Sequence, residues 1–188
     1  NVLRKLYKEL TSLHWEIGFL DNTFEGIVKG DELKLTLVTH NFPNSWFADP
    51  FILDVTEDTI IVLVEEVTKK IHKGRISMLV IDRRNNYVIE KKVILERPGH
   101  LSFPIIYRKD DKIYVYPENS EDGVLNIYEY NPINDDMTLI NELSDKPLTD
   151  AVFTDLFGKP PLFTTQAAYA NGFQLDHYEW SATKPKFV

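Results

Sequence analysis

Hydrophobic positions along this chain fall in short runs dominated by β-branched and aromatic residues, separated by polar turn residues such as Asp, Asn and Gly, the pattern of β-strands. Three of these runs open alike: Ala48-Asp49-Pro50-Phe51-Ile52-Leu53, Ser102-Phe103-Pro104-Ile105-Ile106-Tyr107 and Thr149-Asp150-Ala151-Val152-Phe153-Thr154. Their spacing is 54 residues from Pro50 to Pro104 and 47 from Pro104 to Ala151. Each is followed by a second β-type run, at Thr59–Val64, Lys112–Tyr116 and Pro161–Thr165. A glycine then opens a third run, Gly74–Ile81, Gly123–Tyr130 and Gly172–Tyr178, with the glycines 49 residues apart both times. Three elements in one order, three times over, mark a repeat protein.

Tyr87–Leu95 and Met137–Leu143 supply a fourth strand to the first two units. Turns are expected at 82–86, 110–111, 119–123 and 131–136, where Asp, Asn and Gly cluster. Four antiparallel strands at a period near 50 predict an all-β fold built of β-propeller blades. A β-sandwich also has short, regular strands, but it gives no reason for units of this length. Trp15–Leu20 and Leu33–Thr39 read as strands of a leading partial blade, and Leu3–Leu13 has helical spacing. The expectation is a single, incomplete propeller domain over residues 1–188, with blade repeats near 46–96, 100–145 and 148–188. A ring needs at least four blades, so the missing ones are expected in the remainder of a longer chain. A first residue of Asn rather than Met fits a trimmed chain.

Composition narrows the function classes. With 21 Lys and Arg against 29 Asp and Glu, the net charge is -8. That balance disfavours nucleic acid and anionic lipid as partners. The longest aliphatic run, Ile60–Val64, is too short for membrane insertion. There is no cysteine, and none of the five histidines has the spacing of a zinc pair, so no metal site is expected. No phosphate loop or dinucleotide fingerprint calls for a cofactor.

Six segments carry a resemblance: Trp46–Phe51, the Glu65-Glu66 pair, Lys73–Ile76, His100–Pro104, Tyr116–Ser120 and Phe163–Thr165. In this order they resemble a family of five-bladed β-propellers related to glycoside hydrolase family 43. That family includes the N-terminal domain attached to plant glucosamine inositolphosphorylceramide transferases. The resemblance implies a five-bladed ring, of which this chain carries about three blades and a leading partial one. It also implies an axial pocket lined by carboxylates at the starts of the innermost strands. In such hydrolases one carboxylate activates water and a protonated carboxyl serves the leaving group, about 6.5–9.5 Å apart when the anomeric centre inverts.

Carried over by position, the base falls on Asp49 and the acid on Asp150, one methylene shorter than the family's Glu. The second-blade carboxylate is replaced by Phe103, beside Ser102. Glu66 and Glu118 are expected at equivalent ends of second strands, as replacement carboxylates. His100 is expected at the same mouth, and Trp46 and Phe47 as a sugar-stacking platform, against the plainer possibility that these aromatics fill space between blades. Two functions follow, both with a carbohydrate ligand. One is a glycoside hydrolase using Asp49 with Asp150 or Glu118; the other is a non-catalytic recognition or scaffold propeller attached to a glycan-processing enzyme. Replacement of the second-blade carboxylate favours the second, and retention of Asp49, Glu118 and Asp150 favours the first.

Overall fold

A computed structural model describes residues 15–153, 161–169, 174–181 and 183–188. Among them the fold is all-β, with thirteen strands in four antiparallel sheets. The first sheet pairs β1 (Gly18–Leu20) with β2 (Leu35–Leu37) around a short helix α1 (Phe24–Lys29). The second is a meander of β3 (Ser45–Val55), β4 (Thr59–Thr68), β5 (Gly74–Asp82) and β6 (Tyr87–Leu95). A third repeats it with β7 (Ser102–Lys109), β8 (Lys112–Glu118), β9 (Leu125–Asn131) and β10 (Asp136–Ser144). The fourth holds β11 (Leu148–Val152), β12 (Leu162–Gln166) and β13 (Asp176–Tyr178). No helix among the described residues is long and apolar enough to cross a membrane.

The sheets pack in chain order, each pair sharing its own core. Ile17 and Val38 of the leading unit meet Phe47, Val62, Val64, Leu79 and Ile81 of the second sheet. On its other face that sheet offers Leu63, Ile76 and Met78 to Leu101, Val115 and Tyr130. The third sheet then meets the fourth through Tyr116, Leu125, Leu148, Phe153 and Leu162. A sheet covered on both faces needs apolar side chains at odd and even positions alike, which explains why 60–64 and 78–81 read as unbroken apolar runs. Burying one such side chain fully contributes about 1.5–3 kcal/mol.

Local chemistry accounts for the connections. Asp110 and Asp111 both adopt positive φ (50° and 60°), the geometry of a tight two-residue hairpin. Helix α1 is closed by Thr23, whose hydroxyl accepts the Gly26 N–H at 3.1 Å, and by Gly30 at φ 83°. The outer strands do not end as bare edges. Thr39 bridges the start of β6 through Asn86 and Val88, both at 2.9 Å, and the Phe187 N–H donates to the Leu143 carbonyl at 2.7 Å. The helical segment expected at 3–13 and the strand start at Gly172 lie outside the described residues.

Candidate functional site

The first strands of the second, third and fourth sheets, β3, β7 and β11, carry the same defect at the same place. Each has a register shift, between Ala48 and Phe51, Ser102 and Ile105, and Thr149 and Val152. In each, the residue at the shift has positive φ: Asp49 at 49°, Phe103 at 47° and Asp150 at 49°. Bulky L-residues rarely adopt that conformation, so the bulge is imposed by the surrounding fold. Pro50 and Pro104 occupy the unpaired stretch of the bulge, where a missing N–H costs no ladder hydrogen bond.

These bulges are tied to one another by carboxylates. Asp49 Oδ2 accepts the Phe103 N–H at 3.2 Å, joining the second sheet to the third. Glu118 Oε2 accepts the Asp150 N–H at 3.2 Å, joining the third to the fourth, while Ser120 Oγ donates to Glu118 Oε1 at 2.9 Å. Where β7 carries Phe103 rather than an acid, the tie to the next sheet comes from β8 instead. The Phe103 ring meets Phe51 edge-on at 5.3 Å.

Glu65 is the residue the chain pattern did not single out. It stands opposite Ala48 in the β3–β4 ladder, as Glu118 stands opposite Ser102 in β7–β8. Glu65, not Glu66, is therefore the counterpart of Glu118. The β3–β4 hairpin holds one residue more, with a second register shift between Ile52 and Asp54; Glu66 and Glu118 match only when counted from the ends of the apolar runs, at Val64 and Tyr116. The His100 Nε2 and Glu65 Oε1 are 3.0 Å apart, and His100 Nδ1 accepts the Gly74 N–H at 3.0 Å. A side chain on Gly74 would strike the Leu101 carbonyl at 2.2 Å, so only glycine permits this approach.

Electrostatics bind the group together. Burial raises the Asp49 pKa, the Glu65 and Asp150 charges add to it, and the Phe103 N–H opposes. Burial likewise raises Glu118, with Ser120, the Asp150 N–H and His100 pulling against it. The hydrogen bond to Glu65 raises His100 in spite of burial, and Glu121 and Glu118 add to the rise.

Two expected ligand contacts face protein instead. Phe47 is 2% exposed and packs edge-on against His40 at 5.0 Å and Phe42 at 6.3 Å, in the core beneath the first sheet. Its counterparts at the same offsets, Leu101 and Leu148, are fully buried too, so this is a repeated core position. Glu66 is also fully buried, accepting Ser45 Oγ at 2.7 Å, Ser77 Oγ at 2.6 Å, Arg75 Nε at 3.1 Å and the Lys91 ammonium. Burial alone would raise its pKa, but these four donors outweigh it and bring the carboxyl down to about 2. Strand alternation sends Glu65 and Glu66 to opposite faces. Trp46 is half-buried opposite Val67, and Ser102 half-buried opposite Glu118.

Two cavities lie away from the acidic group. One of about 360 Å³ is lined by Trp15, Val38, His40 and Phe47, and one of about 320 Å³ by Asp54, Arg108, Tyr130 and Asp135. No set of three or more His, Asp or Glu among the described residues is arranged to hold a metal ion.

Residues 34–181 match the family described as glucosamine inositolphosphorylceramide transferase 1, N-terminal. The chain is 28% identical over 125 residues to glucosamine inositolphosphorylceramide transferase 1 of Oryza sativa subsp. japonica, covering 66% of this chain and 16% of that protein. It is also 28% identical over 109 residues to the Arabidopsis thaliana protein of the same name, covering 58% of this chain and 14% of that one. The chain thus spans less than a fifth of the length of the relatives it matches.

Proposed function

Because the chain belongs to the family of glucosamine inositolphosphorylceramide transferase 1 N-terminal domains, we propose that it is a carbohydrate-recognition propeller that serves a glycan-building protein. In this proposal the second, third and fourth sheets are successive blades of a five-bladed ring, the first sheet is a leading partial blade, and strands from a longer chain complete it. Repeated meanders with a shared inner-strand bulge support the ring. The ligand sits against Asp49, Glu118, Asp150, His100 and the Phe51–Phe103 pair, where carboxylates accept sugar hydroxyls and an aromatic face packs on sugar C–H groups.

The observation that carries recognition over hydrolysis is the use of the carboxylates as joints. Asp49 and Glu118 each commit an oxygen to a backbone N–H of the neighbouring sheet, and Phe103 stands where a third carboxylate belongs. Hydrolysis keeps one specific observation in its favour: burial raises Glu118 toward the protonated state that a general acid requires. A glycan array followed by calorimetry on the hits tests recognition, with aryl glycosides as the hydrolysis arm. Binding without turnover, weakened by Asp49→Asn, is expected. Turnover of an aryl glycoside that disappears in Asp49→Asn would replace recognition with hydrolysis, and no binding to any glycan would end both.

A further inference from the structure

The cavity between the first and second sheets is built from two chain segments that leave the β1–β2 ladder side by side. The Val38 N–H donates to the Ile17 carbonyl at 2.9 Å, one step beyond the ladder pair of Gly18 and Leu37. Trp15 and His40 both line the cavity, with Ile17, Val38 and Phe47 as its apolar floor. Its volume of about 360 Å³ lies at the small end of the range of about 300–1,000 Å³ usual for ligand pockets. Trp15 is 65% exposed, an uncommon state for so large an aromatic side chain. His40, by contrast, is held at a fixed angle. Its ring stacks on Phe42 at 5.8 Å and meets Phe47 edge-on at 5.0 Å, and its Nδ1 accepts the Phe42 N–H at 3.2 Å. A neutral imidazole that accepts at Nδ1 carries its proton at Nε2, so the ring presents a donor. Burial lowers the His40 pKa, Glu16 opposes and Lys91 assists, which favours that neutral form.

The charges around the cavity select the ligand. The Lys91 ammonium already lies over the Phe42 and Phe47 rings, 4.9 and 5.9 Å from their centres, so these rings are not open to a cation from outside. Glu16 in the lining and a net charge of -8 oppose an anion. What remains is a neutral molecule with an apolar face for the indole and an oxygen to accept the imidazole N–H. A pyranose has both. We propose that this cavity is a second carbohydrate site, in which one neutral pyranose ring packs its C–H face on Trp15 and accepts a hydrogen bond from His40 Nε2. The site goes beyond the acidic group and does not depend on it, since none of Asp49, Glu118, Asp150 and His100 lines the cavity.

Nuclear magnetic resonance on the ¹⁵N-labelled full chain tests this with the methyl α- and β-pyranosides of glucose, galactose and mannose as probes. At least one is expected to shift the Trp15 indole N–H and the His40 imidazole signals to saturation, while tetramethylammonium and inorganic phosphate leave both in place. Trp15→Ala, read at His40, is expected to weaken binding by about tenfold. His40→Phe keeps a ring but removes the donor, and read at Trp15 it is expected to weaken binding by a similar factor. Amide spectra dispersed as in the parent certify the fold, and should one variant fail to fold, the other decides. Unchanged affinity in a folded variant overturns the site, as does saturation by tetramethylammonium or phosphate in place of a sugar. No shift with any pyranoside overturns it too. The two sites are read separately: a pyranoside that moves His100 and leaves Trp15 and His40 unmoved supports the acidic group and refutes this cavity, and the reverse supports the cavity and counts against the acidic group.

Discussion

The second and third sheets are built on one plan and differ at its centre. Glu66 and Asn119 follow directly after the paired positions Glu65 and Glu118, so they occupy corresponding places, and both are fully buried. Glu66, on β4, gathers donors from the other three strands of its sheet, through Ser45, Ser77, Arg75 and Lys91. Neither amide atom of Asn119 meets a partner among the described residues. The residues at the matching places in the third sheet explain it: Gly99 stands where Ser45 does, Val124 where Arg75 does, and Asn126 where Ser77 does. A repeat therefore preserves its apolar faces and bulges far more readily than a buried polar node. Apolar packing needs only volume, whereas a buried charge needs every partner in position at once.

Breaking the complete node is expected to have the largest effect. Glu66→Ala leaves Lys91 and Arg75 with no buried counter-charge and is expected to cost about 3–5 kcal/mol, measured by urea unfolding at neutral pH. The carboxyl has an ordinary pKa of 4.5 and lies at about 2 in the fold, so the stability it supplies is complete above 4.5 and fades as pH falls toward 2. The gap between parent and Glu66→Ala should narrow over that range. A gap that is constant down to pH 2 would mean that the ionised carboxylate is not what stabilises the sheet.

The corresponding glycines sharpen the contrast at intermediate size. Gly74 and Gly123 stand two places before the fully buried Ile76 and Leu125. A Cβ at Gly74 runs into the Leu101 carbonyl at 2.2 Å, so Gly74→Ala is expected to destabilise by about 2–3 kcal/mol and to disturb the His100 resonances. Gly123 has open space but φ 73°, so Gly123→Ala is expected to cost only about 1 kcal/mol and leave His100 alone. Equal losses from the two would show that the sheets do not use the glycines differently.

The smallest change belongs to the empty node. Asn119→Leu exchanges an unpartnered buried amide for an apolar side chain of similar size, so thermal unfolding should move within about 1 kcal/mol of the parent and toward higher stability. A loss of several kcal/mol instead would reveal a partner that pays for the burial of Asn119.

Strands, turns and the repeat of β3, β7 and β11 were legible because each rests on local pattern: β-branched and aromatic runs, Asp and Gly at turns, and offsets of 54 and 47 between the Asp49, Phe103 and Asp150 positions. The face on which a given acid lies was not, because it depends on ladder register. Counting from the ends of the apolar runs at Val64 and Tyr116 selected Glu66, whereas the ladder aligns Glu65 with Glu118. Phe47 illustrates the same limit, since only its alignment with Leu101 and Leu148 shows that it belongs to the core. Helix α1 was not expected, because its six residues are too few for helical periodicity to show.

The donors in both joints between neighbouring sheets are main-chain amides, at Phe103 and Asp150. Every residue type except proline carries that group, so the side chain at the receiving bulge is released from any mechanical duty. The side chain carried there can be anionic, as at Asp150, or aromatic, as at Phe103, while the seam between neighbouring sheets stays closed. Architecture and side-chain chemistry are thereby uncoupled at these positions, and such a scaffold can be altered one bulge at a time without being rebuilt.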